Sequence, residues 1–189
     1  MLKYSLHRSS EPASEPITLA ELKNYLRVEH TTDDVELAVV LTAARQAVER
    51  DTGRSLITQT WVLQIDQWPC YCIQLPHPPI VSVTSITYVD SSGATQTWAA
   101  TNYVVDIRSR PGLIRLAYQC DWPSIRGDER GIAVTYVAGY GATAASVPAD
   151  LRQAVKHRAR LDYDAWSADV AEAYDRIVKS NVIGVLPGV

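Results

Sequence analysis

The chain has 189 residues, 47% of them hydrophobic and 21% charged, with a formal net charge of −3. That composition supports one domain, or one domain carrying a large insertion, and argues against extended disorder. It lacks the basic excess by which nucleic-acid binders gain affinity through counterion release, and no apolar run approaches the roughly 18 residues of a membrane-spanning helix.

Met1 to Pro16 contains Pro12 and Pro16 and no apolar stretch of signal-peptide length. It reads as a polar arm, with synthesis expected in the cytosol. Thr18-Leu19-Ala20-Glu21 is a capping-box pattern, in which a Thr at the N-cap and a Glu three residues later satisfy each other's orphan amides. A helix over 18–27 follows, with Leu19, Leu22 and Leu26 on one face. Asp33, Asp34 and Glu36 suit the positive end of a second helix over 33–52, and Leu37, Leu41, Ala44 and Val48 recur at its period. Glu49, Arg50 and Asp51 read as a polar last turn, and Gly53 fits the left-handed residue that ends many helices.

Beyond Gly53 the period changes from helical to alternating. Short strands are expected from Ile57 to Asp66, Tyr71 to Leu75, Val81 to Val89, Ala94 to Trp98, Tyr103 to Ile107, Gly112 to Tyr118 and Ile132 to Val137. Asp90-Ser91-Ser92-Gly93 and Arg110-Pro111-Gly112 supply turns. Gly139 and Gly141 mark the exit. Ser146 is placed to cap a helix over 148–163 with Pro148 in its first turn, and a last helix is expected over 169–180. The fold class is α+β: about four helices from both ends of the chain, with an antiparallel barrel- or sandwich-like β insertion. The expected organisation is a polar arm 1–16, a helical domain 17–56 with 146–181 (ring-forming, if the resemblance described below holds), a β insertion 57–145 and an apolar tail 182–189.

Catalytic and metal patterns are weak. Cys70, Cys72, His77 and Cys120 match no structural-zinc spacing, so half-buried thiols with packing roles are expected. No thiol is placed for activation, and no nucleophile elbow or phosphate loop occurs. Gly139-Tyr140-Gly141 is a lone G-x-G, better read as a junction. Asp162, Asp164 and Asp169 read as a solvated or interfacial face. No catalytic residue, metal ligand or cofactor is assigned.

Two segments look built for assembly. Arg152, Lys156 and Arg160 fall on one helical stripe, because residues four apart align; they either pair with acidic groups of a neighbouring subunit or line a DNA path. The tail carries Val182, Ile183, Val185 and Leu186 among Gly184, Pro187 and Gly188, which keep it from continuing a helix. Such a tail either docks on a partner or folds back on its own helices. Among five Trp, ten Tyr and no Phe, Trp61 and Trp98 suit the core, while Trp68, Trp122 and Trp166 are candidates for subunit contacts.

The order of several segments resembles the head–tail connector (adaptor) proteins of long-tailed phages. These are Ile17-Thr18-Leu19-Ala20-Glu21 with Tyr25-Leu26-Arg27-Val28; Asp33-Asp34 opening a helix that ends Ala47-Val48-Glu49-Arg50-Asp51-Thr52-Gly53-Arg54; and Leu56-Ile57-Thr58-Gln59-Thr60-Trp61 entering a strand. Leu75-Pro76 and Pro78-Pro79 then precede Val81-Ser82-Val83-Thr84-Ser85-Ile86-Thr87-Tyr88, and Val134-Thr135-Tyr136-Val137-Ala138-Gly139-Tyr140-Gly141 leads to Val147-Pro148. The resemblance spans about Ile17 to Leu161. It implies a non-enzymatic virion protein of the neck: a homo-oligomeric ring of twelve copies docked on the portal, meeting the next neck or tail protein, with DNA passing through without sequence-specific binding. Rival readings are another neck component (a stopper or tail terminator), a stand-alone β-rich module binding carbohydrate through exposed aromatics, and a cysteine- or metal-dependent hydrolase.

Overall fold

The structure, a computed structural model, describes residues 4–127, 129–164 and 167–183. The chain forms two compact units, one of residues 12–58 with 140–183 and the other of 4–11 with 59–139. The class is α+β, with four helices and antiparallel sheets.

The first unit is helical: α1 (Leu19–Leu26), α2 (Asp34–Thr52), α3 (Ala149–Tyr163) and α4 (Ala168–Asn181). The capping box forms, with the Glu21 amide donating to Thr18 Oγ1 at 3.1 Å and the Thr18 amide donating to Glu21 Oε2 at 2.8 Å. Gly53 ends α2 at φ +67°, where its amide donates to the Glu49 carbonyl. Leu22, Leu37, Leu41, Val48, Leu151, Val155 and Tyr174 close the core. Ser146 does not cap α3. A residue before proline is held out of the helical region, so Val147 stays extended (φ −81°, ψ 131°), and Pro148 takes the N-cap position. Ser146 sits instead in a 3-10 turn over Ala144–Ser146.

The second unit holds eight strands: β1 (Tyr4–Ser10), β2 (Gln59–Ile65), β3 (Cys72–Leu75), β4 (Ile80–Val89), β5 (Thr95–Thr97), β6 (Tyr103–Asp106), β7 (Gly112–Leu116) and β8 (Ile132–Ala138). Five form one sheet in the order β1-β2-β8-β4-β5, and three form another in the order β3-β7-β6. Every pairing is antiparallel. In β2 and β8 burial alternates strictly along the strand, as one wet and one packed face require. Leu63, Ile65, Ile86, Val134 and Tyr136 of the larger sheet share a core with Ile73, Leu75 and Ile114 of the smaller. Both sheets are open-ended, so the unit is sandwich-like and not a closed barrel.

Within the polar arm expected over 1–16, Tyr4–Ser10 forms a strand. Tyr4–Ser10 pairs along β2, from Tyr4 opposite Ile65 to Ser10 opposite Thr60. Leu6 packs on the β core, and the Arg8 guanidinium lies 5.1 Å from the centroid of the Trp61 ring. The backbone edge of β2 supplies the hydrogen bonds here, so side-chain periodicity gives little warning.

Candidate assembly surfaces

The stripe of Arg152, Lys156 and Arg160 lies on α3, and all three are partly buried. Arg152 is engaged within the chain, its guanidinium 3.0 Å from Glu21 Oε1 across to α1. The Glu21 carboxyl is held below its ordinary value, first by the Thr18 backbone amide and, against some desolvation, by the charges of Lys156 and Arg152. Arg158 pairs with Asp162 one turn on, at 3.0 Å. His157 meets the Tyr25 hydroxyl at Nδ1 (2.8 Å), and Gln153 at Nε2 (3.3 Å). Burial first, and the Arg160 charge second, hold its imidazole below the ordinary value of 6.5. Much of the basic cluster is therefore matched by acids of its own unit rather than left as an open anion-binding field.

The start of the tail is anchored. Ile183 donates its amide to the Thr52 carbonyl at 3.1 Å, and Val182 bonds back to Val178. Asn181 accepts from Arg54 Nε through its carbonyl (2.7 Å) and donates its amide side chain to Asp150. Val182 is exposed and Ile183 partly buried. Val185, Leu186 and Trp166 lie outside the described residues.

A buried ionic group escaped the sequence reading. Arg45, 2% exposed, donates from Nε to Glu15 Oε2 (2.8 Å) and from Nη1 to Glu49 Oε2 (3.0 Å). Glu49 Oε1 accepts the Leu56 amide at 2.9 Å. The expected polar last turn of α2 thus faces inward at Glu49 and fixes the chain's exit from the helix. Arg54 also donates to the Tyr140 hydroxyl at 2.9 Å, so the segment after α2 is tied to the segment after β8. The only signal in the sequence was the i, i+4 spacing of Arg45 and Glu49, which a solvated pair shares.

The described tryptophans pack inward, whereas Tyr4, Tyr71 and Tyr118 are exposed. Trp61 and Trp98 are buried, as expected. Trp68 and Trp122, the candidates for subunit contacts, are partly buried: they stack on each other at 4.7 Å and pack with Trp98 against the β core. Trp68 Nε1 donates to the Pro123 carbonyl at 2.9 Å. These rings form a filled cluster rather than the open groove that carbohydrate would need.

The thiols differ from the half-buried expectation at Cys70, which is exposed in the turn before β3, whereas Cys72 and Cys120 are partly buried. No group of three His, Cys, Asp or Glu among the described residues is arranged to hold a metal. No helix among them is long and apolar enough to cross a membrane.

Three solved chains share this fold along almost its whole length. A chain of the native gene transfer agent virion superposes with TM-score 0.80 at 24% identity, covering 97% of this chain and 98% of that one. A chain from the neck of the empty gene transfer agent particle, computed with C6 symmetry, gives 0.78 at 23% identity with the same coverage. One from the neck of the native particle, computed with C12 symmetry, gives 0.75 at 26%, again over 97% and 98%. No curated protein matches at the level of sequence. The profile of the head completion proteins matches residues 15–164, a span that takes in every helix but the last and both sheets except β1, and the chain belongs to the head completion protein family.

Proposed function

We propose that this chain is a structural protein of the head–tail neck of a phage-like particle: an adaptor that forms a ring on the portal, extends the DNA channel and joins the capsid to the tail. The observation that carries this is the end-to-end correspondence with a chain from a gene transfer agent neck, at 97% and 98% coverage. The C12 symmetry with which that neck was computed supports a ring of twelve copies. A heterologous contact between identical subunits closes into such a ring by rotation. The net charge of −3 suits a wall past which DNA slides without being held. The chain is given no enzymatic role.

The assembly residues remain part of the proposal. Val182 and Ile183, with Val185 and Leu186, dock on the portal or a neighbouring subunit, and Trp166 joins them. Apolar side chains of this kind contribute roughly 1.5–3 kcal/mol each when fully buried, before ordering costs. Lys156 and Arg160 contribute ion pairs to a neighbour or face the channel, while Arg152 shares Glu21 with that role.

The test is imaging of particles that carry a tagged copy, together with a chain truncated after Ile183, which keeps the Thr52 contact. The tag should appear in the ring beneath the portal, and the truncated chain should stay folded but fail to join portal-containing particles. A tag in a ring further along the neck would make the chain a stopper or terminator. Normal docking of the truncated chain would remove the tail from the contact.

A further inference from the structure

Solvated helix faces normally carry charge, and α4 does: Asp169, Glu172, Asp175, Arg176 and Lys179 are all exposed. The outward stripe of α2 is different. Val35, Ala38, Val39, Thr42, Ala43 and Gln46 fall on one side of the helix and form three turns without an ionisable group, bordered by exposed Glu36 and ended by exposed Arg50. Val35 is 81% exposed and Val39 60%. The Thr42 hydroxyl is already used, its single hydrogen placed for either Glu15 Oε1 or the Ala38 carbonyl, each 3.1 Å away. Shallow depressions run beside Ala38 and Thr42, one along the stripe itself and one toward Ile17 and Leu19. Nothing inside the helical unit needs this surface, since Leu37, Leu41, Ala44 and Val48 face the core from the other side.

We infer that this stripe of α2 is the surface on which the neighbouring copy of the same chain packs in the ring. The inference rests on the ring reading above and deepens it. Each subunit of a closed ring presents two different surfaces, one to each neighbour. Interfaces of obligate homo-oligomers are more apolar, and poorer in charge, than surfaces left to solvent or to transient partners. Small side chains at Ala38 and Ala43 let a neighbour approach the helix closely, and Val35 and Val39 supply the apolar area. The contact is heterologous: the α2 stripe meets a different part of the next copy, because a stripe-to-stripe contact would close a dimer.

The experiment uses the full chain assembled into particles, with the photoreactive residue p-benzoylphenylalanine in place of Val39, and in place of Glu172 as a control. Irradiation should yield a covalent dimer of this chain from the first and not the second. The cross-linked peptide should join position 39 to another segment. A link from position 39 to position 39, a link to a different neck protein, or no dimer would overturn the inference. In parallel, Val39→Glu combined with Ala43→Glu should keep the circular dichroism and melting behaviour of the parent chain. Burying those carboxylates should lower the yield of particles with a complete neck by at least about tenfold. A folded double variant that fills the neck normally would sink it. Failure of the neck assignment is read separately, from the position of the tagged chain in the particle image.

Discussion

Arg45 and Glu49 sit one turn apart on α2, with Nη1 3.0 Å from Oε2 and both side chains only 2% exposed. Two charges so placed are out of water and depend on each other and on further partners, among them Glu15 for the arginine and the Leu56 amide for the glutamate. Removing one member of a buried pair leaves the other uncompensated, which costs about 3–5 kcal/mol. Arg45→Met should therefore lower the denaturant midpoint of the helical unit sharply. The double change Arg45→Met with Glu49→Gln should recover part of the loss, because the glutamine can still accept from Leu56. Equal destabilisation by the single and double variants would show that the pair does not act as a unit.

At Gly112 the two sheets approach each other closely. A Cβ built there would lie 2.5 Å from Ile80 Cγ1, between β7 of the smaller sheet and β4 of the larger. Gly112→Ala should destabilise the β unit by about 1–3 kcal/mol through overpacking. Gly112→Ala together with Ile80→Ala, which removes the Cγ1 atom at the contact, should cost less than the sum of the two single changes. Urea unfolding followed by Trp fluorescence reads this unit, since Trp61, Trp68, Trp98 and Trp122 all lie in it.

His157 has its pKa lowered by burial and by Arg160. The unfolded chain therefore binds a proton at this site more readily than the folded one. The stability linked to it is complete above the unfolded value near 6.5 and declines as pH falls from there toward the depressed folded value. The melting temperature should drop between pH 7.5 and the acid side of that window, and His157→Gln should flatten the drop while keeping a partner for the Tyr25 hydroxyl. An unchanged slope in the variant would assign the acid sensitivity to other groups.

Replacing Cys70, Cys72 and Cys120 together with Ser should leave neck assembly intact. With one thiol exposed and two partly buried, the total stability loss should be about 1 kcal/mol or less. Loss of assembly by a triple variant that still melts normally would give the thiols a role beyond packing.

Asp90 shows how local chemistry writes a turn. Its carboxylate accepts from the amides of Ser92 and Ala94 and from Gln96 Nε2, and these bonds, with that of the Ser92 hydroxyl, hold its pKa down to about 2. Asp90→Ala should loosen the β4–β5 hairpin, visible as faster amide exchange at Ala94.

Features that depend on near neighbours in the chain were legible in the sequence. The Thr18–Glu21 capping box, the left-handed stop at Gly53, the Asp90 turn and the strands β2 and β8 each need only a few consecutive residues, and each stands where the pattern put it. The helix–sheet–helix order followed, and with it the resemblance to neck proteins. What the sequence left open depends on residues far apart. Tyr4–Ser10 became a strand because the edge of β2 offered it backbone partners. Trp68 and Trp122 turned inward because the fold brings residues more than 50 apart into ring contact. Glu49 became a core residue because Glu15, Arg45 and the Leu56 amide converge there. A charged side chain has the same local spelling whether it faces water or a buried partner, and only the tertiary structure, by removing the water, decides between them.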